Sequence, residues 1–138
     1  MPKGGGAENM STIKMFTPLT PIEDIKKFIV DTVKNAGGKP CPPIIVGVGI
    51  GGSFDYAAFL AKKALLMPLN SSNQDKNWAE VEADLLKQIN LLDIGPMGLG
   101  GSTTALKVNI LTYPCHIASL PVAVNLQCHS HRYKTVIL

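Results

Sequence analysis

Apolar positions along this chain recur with two periods. Ile22, Ile25, Ile29 and Val33 fall on one face of a helix. Thr20 stands at its N-cap, Pro21 at the first helical position, and Glu23 completes a capping box; Gly37-Gly38 ends it. Lys26, Lys27, Asp31 and Lys34 lie mainly on the other side and read as a solvated face. Residues 53–65 are rich in alanine, with Phe54, Ala57, Ala58, Leu60, Ala61 and Ala64 leaving Lys62 and Lys63 as the main polar points, which predicts a helix lying close against a sheet. Trp78, Val81, Leu85, Ile89 and Leu92 repeat at helical spacing after Asn77, which with Glu80 opens a third helix. Glu80, Glu82 and Asp84 read as the surface of that helix.

The other period is that of strands. Ile44, Ile45, Val46, Val48 and Ile50 are mostly β-branched and form an apolar run, the signature of a strand buried on both faces. Residues 12–16, 106–111, 122–126 and 135–138 are further strand candidates, and residues 68–76 form a polar, exposed loop. Strands alternating with helices early, and strands with little helix between them later, predict an α/β fold: one mixed β-sheet flanked by helices in a single domain. The length of 138 residues suits one core.

A net charge of +3 with 17% charged residues leaves no basic stripe, so nucleic acid is not an expected partner. Neither a bilayer-spanning apolar run nor a secretion signal is visible, so no membrane association is expected and a soluble, cytoplasmic protein is. Three cysteines without a signal sequence fit reduced thiols.

The segment 41–53, CPPIIVGVGIGGS, concentrates the chemistry. Two prolines stiffen the chain after Cys41. Gly47, Gly49 and Gly52 match the G-x-G-x-x-G pattern between strand and helix, so a nucleotide-binding module is one alternative, weakened because no acidic residue follows a second strand. The cluster 95–104 lacks a P-loop ending. Cys115-His116 and Cys128-His129-Ser130-His131 hold enough soft ligands for zinc, but the spacing matches no common zinc site. Residues 3–9, with three glycines beside Lys3, read either as a linker or as backbone able to approach an anion.

Five motifs then occur in one order: Lys3-Gly4-Gly5-Gly6 with Glu8-Asn9; Cys41-Pro42-Pro43 before the glycine turn; Gly98-x-Gly100-Gly101-x-Thr103-Thr104; Tyr113-Pro114-x-His116; and Asn125-x-x-Cys128. Together they resemble the alpha region of the class I, iron–sulfur fumarases and L-tartrate dehydratases, over essentially the whole chain. The resemblance implies part of a hydro-lyase that reversibly hydrates a dicarboxylate, from fumarate to malate or in the tartrate reaction, around a [4Fe–4S] cluster held by three cysteines. It implies Cys41 and Cys128 as two of those ligands and Cys115 as structural. His116 holds or polarises substrate, and Lys3, Gly4, Gly5 and Gly6 meet a substrate carboxylate.

The first cluster cysteine of that family lies upstream of the Lys-Gly-Gly-Gly motif, where this chain has Met1-Pro2. Residues 1–138 are therefore expected to be a partial alpha region, the N-terminal catalytic domain, incomplete as a catalyst. Its expected partners are an upstream alpha-region segment, a beta region or subunit, and other chains in a homo- or hetero-oligomer. A non-catalytic folding or assembly module is the alternative.

Overall fold

Strand β2, Ile44–Gly51, is buried along all eight of its residues and organises the domain. The computed structural model describes residues 1–137, ordered as α1 Gly5–Asn9, β1 Thr12–Phe16, α2 Ile22–Ala36, β2, α3 Phe54–Ala64, α4 Lys76–Asn90, β3 Ala105–Tyr113 and β4 Leu120–Gln127. A short 3-10 turn, Pro96–Gly98, precedes β3. The four strands form one sheet in the order β1-β4-β2-β3. β3 runs parallel to β2, while β4 is antiparallel to both β2 and β1. The expected mixed sheet flanked by helices is thus the fold.

Alternation along β2 divides the layers. Ile44, Val46, Val48 and Ile50 join Ile25, Ile29 and Val33 of α2 and Leu85 and Ile89 of α4 in the main core. The other face meets α3 through Gly47 and Gly49. A Cβ on Gly47 would lie 2.2 Å from the Ala61 carbonyl oxygen, and one on Gly49 would lie 2.1 Å from that of Ala57. These glycines let helix backbone rest on strand backbone, which accounts for the alanines at 57, 61 and 64. The G-x-G-x-x-G pattern is therefore occupied by α3 and forms no phosphate cradle.

Local signals shift several boundaries. Residues 3–9 are no linker, since α1 forms there. Thr20 does not cap α2: its hydroxyl lies 3.1 Å from that of Thr17, and the first-turn N–H groups of Asp24 and Ile25 donate to the Pro21 carbonyl. Glu23 instead pairs with Lys26 at 2.9 Å. α4 starts at Lys76, because the Asp75 carboxylate accepts the N–H groups of Asn77 and Trp78, the stronger cap. Residues 135–137 carry no strand, and Leu138 lies outside the described residues.

Glu82 is no surface residue: it is 6% exposed. Its Oε1 accepts the Ile110 N–H at 2.7 Å and the Asn73 amide at 2.8 Å, while Asn73 also donates to the Ile110 carbonyl at 3.1 Å. β3 is an edge strand, and this clip satisfies backbone groups that would otherwise offer a template for pairing.

Candidate functional site

Because β4 is antiparallel to β2, with Gln127 opposite Ile45, the residue after β4 and the turn before β2 share one end of the sheet. Cys128 and Cys41 are brought together there. The Cys41 carbonyl accepts the His129 N–H at 3.3 Å and lies 3.1 Å from His129 Nδ1. Cys41 holds a left-handed backbone, φ 57°, before a cis Pro42-Pro43 bond. A non-glycine residue there is uncommon and is typical of functional turns.

Three glycine-bearing segments, α1, the turn after α2 and the 3-10 turn, close around Cys41. A Cβ on Gly6 would stand 2.3 Å from the Lys39 carbonyl, and one on Gly98 would stand 2.6 Å from Gly38 Cα. The Pro42 carbonyl accepts the Met97 N–H at 2.9 Å. The segment 95–104 is itself held by side chains: Asn90 Oδ1 accepts the N–H groups of Thr104 and Ala105, both at 2.8 Å, and Asp93 Oδ1 accepts that of Gly101 at 3.1 Å. Gly6 and Gly98, from two separate sequence motifs, are thus packed against the backbone of residues 38–39 at the thiol end.

Cys128 is 8% exposed, and its sulfur lies 3.2 Å from the Ser130 hydroxyl. Burial pushes its thiol up, but the Ser130 hydroxyl, the N–H groups of Ser130 and His131 and the Arg132 guanidinium outweigh that and hold it below the ordinary thiol range. The thiol is therefore more acidic than an ordinary cysteine, and the thiolate is the form that binds metal.

Lys3 lies alongside. Its ammonium donates to the Leu126 carbonyl and pairs with Glu8 at 3.3 Å, and Glu8 reaches Lys62 at 3.1 Å. Burial lowers the Lys3 pKa below the lysine range, with the Lys62 charge adding to it and the Glu8 and Cys128 charges opposing it. Gly4, Gly5 and Gly6 are therefore at the thiol end with Lys3. Gln127 Nε2 also donates to the Pro2 carbonyl at 3.1 Å.

His116 is elsewhere. It sits in the turn between β3 and β4, where its Nδ1 accepts the Ala118 N–H at 3.1 Å. β3 is parallel to β2 and ends beside Gly51, so this turn lies at the opposite end of the sheet. The eight residues of β2 separate the two ends by roughly 25 Å at about 3.3 Å per residue. Cys115 is exposed in that same turn, away from the other thiols.

The donor set at the thiol end is two sulfurs. Among the described residues no group of three or more His, Cys, Asp or Glu side chains is arranged to hold a metal ion. Two soft thiols at one site, one of them polarised toward thiolate, suit an iron–sulfur cluster in kind; a cluster held by three cysteines needs one more. Sequence reasoning named both sulfurs but missed Ser130 and Arg132, whose only signal was the short Cys128-His129-Ser130 spacing.

The family model for fumarate hydratase (Fumerase) matches residues 1–137. Among curated proteins, the chain is 56% identical over 131 residues to a Methanocaldococcus jannaschii protein provisionally named L(+)-tartrate dehydratase subunit alpha, covering 95% of this chain and 46% of that protein. It is 35% identical over 135 residues to the L(+)-tartrate dehydratase subunit alpha of Escherichia coli K12, covering 98% of this chain and 45% of that one. The chain spans about half the length of these relatives.

Proposed function

The chain belongs to the fumarate hydratase (Fumerase) family, and from that premise we propose that it is part of an iron–sulfur hydro-lyase acting on a dicarboxylate, either fumarate and malate or tartrate. The supporting observation is the meeting of Cys41 and Cys128, far apart in sequence, at one end of the sheet. They would hold a [4Fe–4S] cluster as two of its three ligands, with the third sulfur coming from alpha-subunit sequence that this chain does not include.

When bound, such a cluster supplies an open iron that serves as a Lewis acid toward the substrate hydroxyl and carboxylate. The chain's own residues do the rest of the work at this end. Ser130 and Arg132 hold the Cys128 thiol below its ordinary range, favouring the thiolate that such a ligand needs. Lys3 contributes a fixed positive charge beside it, shared with Glu8, and the backbone of Gly4, Gly5 and Gly6 offers donors for a substrate carboxylate. One small dicarboxylate does not bridge the length of β2, so His116 acts on substrate only where a second chain brings its β3–β4 turn to the thiol end. The general base, the beta subunit and cytoplasmic residence belong to the same reading.

The test is anaerobic assay of tartrate dehydration and fumarate hydration with this chain co-expressed beside the remaining alpha-subunit sequence and a beta subunit. Activity that Cys41→Ser and Cys128→Ser abolish, and Cys115→Ser leaves intact, supports the reading. Activity that survives Cys128→Ser contradicts it.

A further inference from the structure

Helix α3 is apolar on its inner side and carries exposed apolar groups among charged ones on its outer side. Its inner side, Ala57, Leu60, Ala61 and Ala64, is buried against the sheet. Asp55, Phe59 and Lys62 fall about one turn apart on its outer side, and Leu66 follows just past the helix end. There Phe59 is 56% exposed and Leu66 is 43% exposed. Asp55, Lys62 and Lys63 suit a face turned to water, but a phenylalanine and a leucine exposed together beside them form an apolar patch of the kind another surface covers. Phe59, Leu66 and Met1, with Lys62 and Lys63, line an open groove of about 480 Å³ along this stripe.

The layer itself is half filled. Four strands span roughly 19 Å and helices pack about 8–10 Å apart, so one sheet face takes two helices. The face carrying α2 and α4 has two. The other has α3, with the five-residue α1 beside it. Met15, on the α3 side of edge strand β1, is 48% exposed.

We propose that the outer face of α3 is an internal interface, covered by the part of the alpha subunit that this chain does not include. More than half of the Methanocaldococcus jannaschii relative has no counterpart here, because the match covers 46% of it. The occupant's chemistry follows from the groove: Lys62 and Lys63 flank an apolar floor, so it presents apolar side chains bordered by carboxylates. A second copy is the poorer occupant, since an isologous contact would set Lys62 and Lys63 of both copies on one patch. This inference concerns packing and stands apart from the cluster reading.

The experiment co-expresses this chain, tagged, with the portion of the Methanocaldococcus jannaschii subunit outside the 131 matched residues. The double variant Phe59→Asp/Leu66→Asp is compared with Leu91→Asp, a control whose exposed side chain follows α4. Circular dichroism and urea unfolding of each purified chain verify that the variants fold. The expected result is co-purification with the wild-type chain and the control, weakened at least about tenfold by the double variant. Amide exchange of α3 should slow in the wild-type complex. No co-purification with the wild-type chain, or capture indifferent to the double variant, would overturn the proposal. So would a wild-type homodimer that the double variant turns into monomer, which would make a second copy the occupant.

Discussion

The backbone N–H of His129 donates to the Cys41 carbonyl at 3.3 Å, tying the residue after one thiol directly to the other. The contact lies just beyond the last paired residues of β2 and β4, Ile45 and Gln127, and outside their register. The backbones that carry the two thiols are therefore tied to each other at the ends of neighbouring strands, which helps a site keep its geometry before any ligand arrives.

Cys41 itself carries a backbone cost. At φ 57° an L side chain is disfavoured by about 1–2 kcal/mol, whereas glycine is not. Cys41→Gly is expected to be more stable than Cys41→Ala by about 1 kcal/mol in urea unfolding. Equal stability of the two variants would show that the turn bears no such cost.

The contact between α3 and β2 is the least forgiving in the domain. A methyl group at 47 or 49 would meet helix backbone, which cannot rotate away as a side chain can. Gly47→Ala and Gly49→Ala should each cost at least about 2 kcal/mol. Gly5→Ala, where a Cβ meets nothing within 4 Å, should be neutral or slightly stabilising. Thermal unfolding of the three variants decides it, and a benign Gly49→Ala would refute the close approach.

Lys26 joins α2 to α4 through Asp84 at 2.5 Å. The bond to Asp84, helped by Glu23, raises the Lys26 pKa; the same bond lowers that of Asp84 against a smaller opposing effect of burial. Asp84 is depressed on folding, so its contribution is present above the unfolded carboxylate pKa and lost as pH falls through the lowered folded value. Lys26 is raised, so its contribution is full below the ordinary lysine value and lost as pH rises through the higher folded one. The gap in urea midpoint between the wild-type chain and Asp84→Asn should be flat around neutrality and close at both extremes. A gap that widens in acid contradicts the assignment.

The sheet and its helices were legible because their signals are local: β-branched residues at 44–46, helical spacing from Ile22 to Val33, alanines at 57, 61 and 64. Those alanines and Gly47 and Gly49 were visible separately, but their complementarity needs the helix laid on the strand. Glu82 was misread for a similar reason, since its partners Asn73 and Ile110 lie on other elements. Cap positions near Thr20 and Asn77 slipped because neighbouring groups, Pro21 and Asp75, satisfied the first-turn amides instead. Cys41 and Cys128 were named from the family's motifs, and their approach follows from strand order, which spacing does not reveal. The position of His116 at the far end likewise depends on β3 running parallel to β2.

Anaerobic reconstitution with ferrous iron, sulfide and an exogenous thiol, read by visible absorption and bound iron per chain, tests the central claim most directly. With the thiol supplying the remaining coordination, the wild-type chain and Cys115→Ser should take up iron and sulfide and develop the absorption of a cluster. Cys41→Ser and Cys128→Ser should each lose it. Equal uptake by Cys128→Ser, or loss on replacing Cys115, would contradict the pairing of Cys41 with Cys128 as ligands of one site.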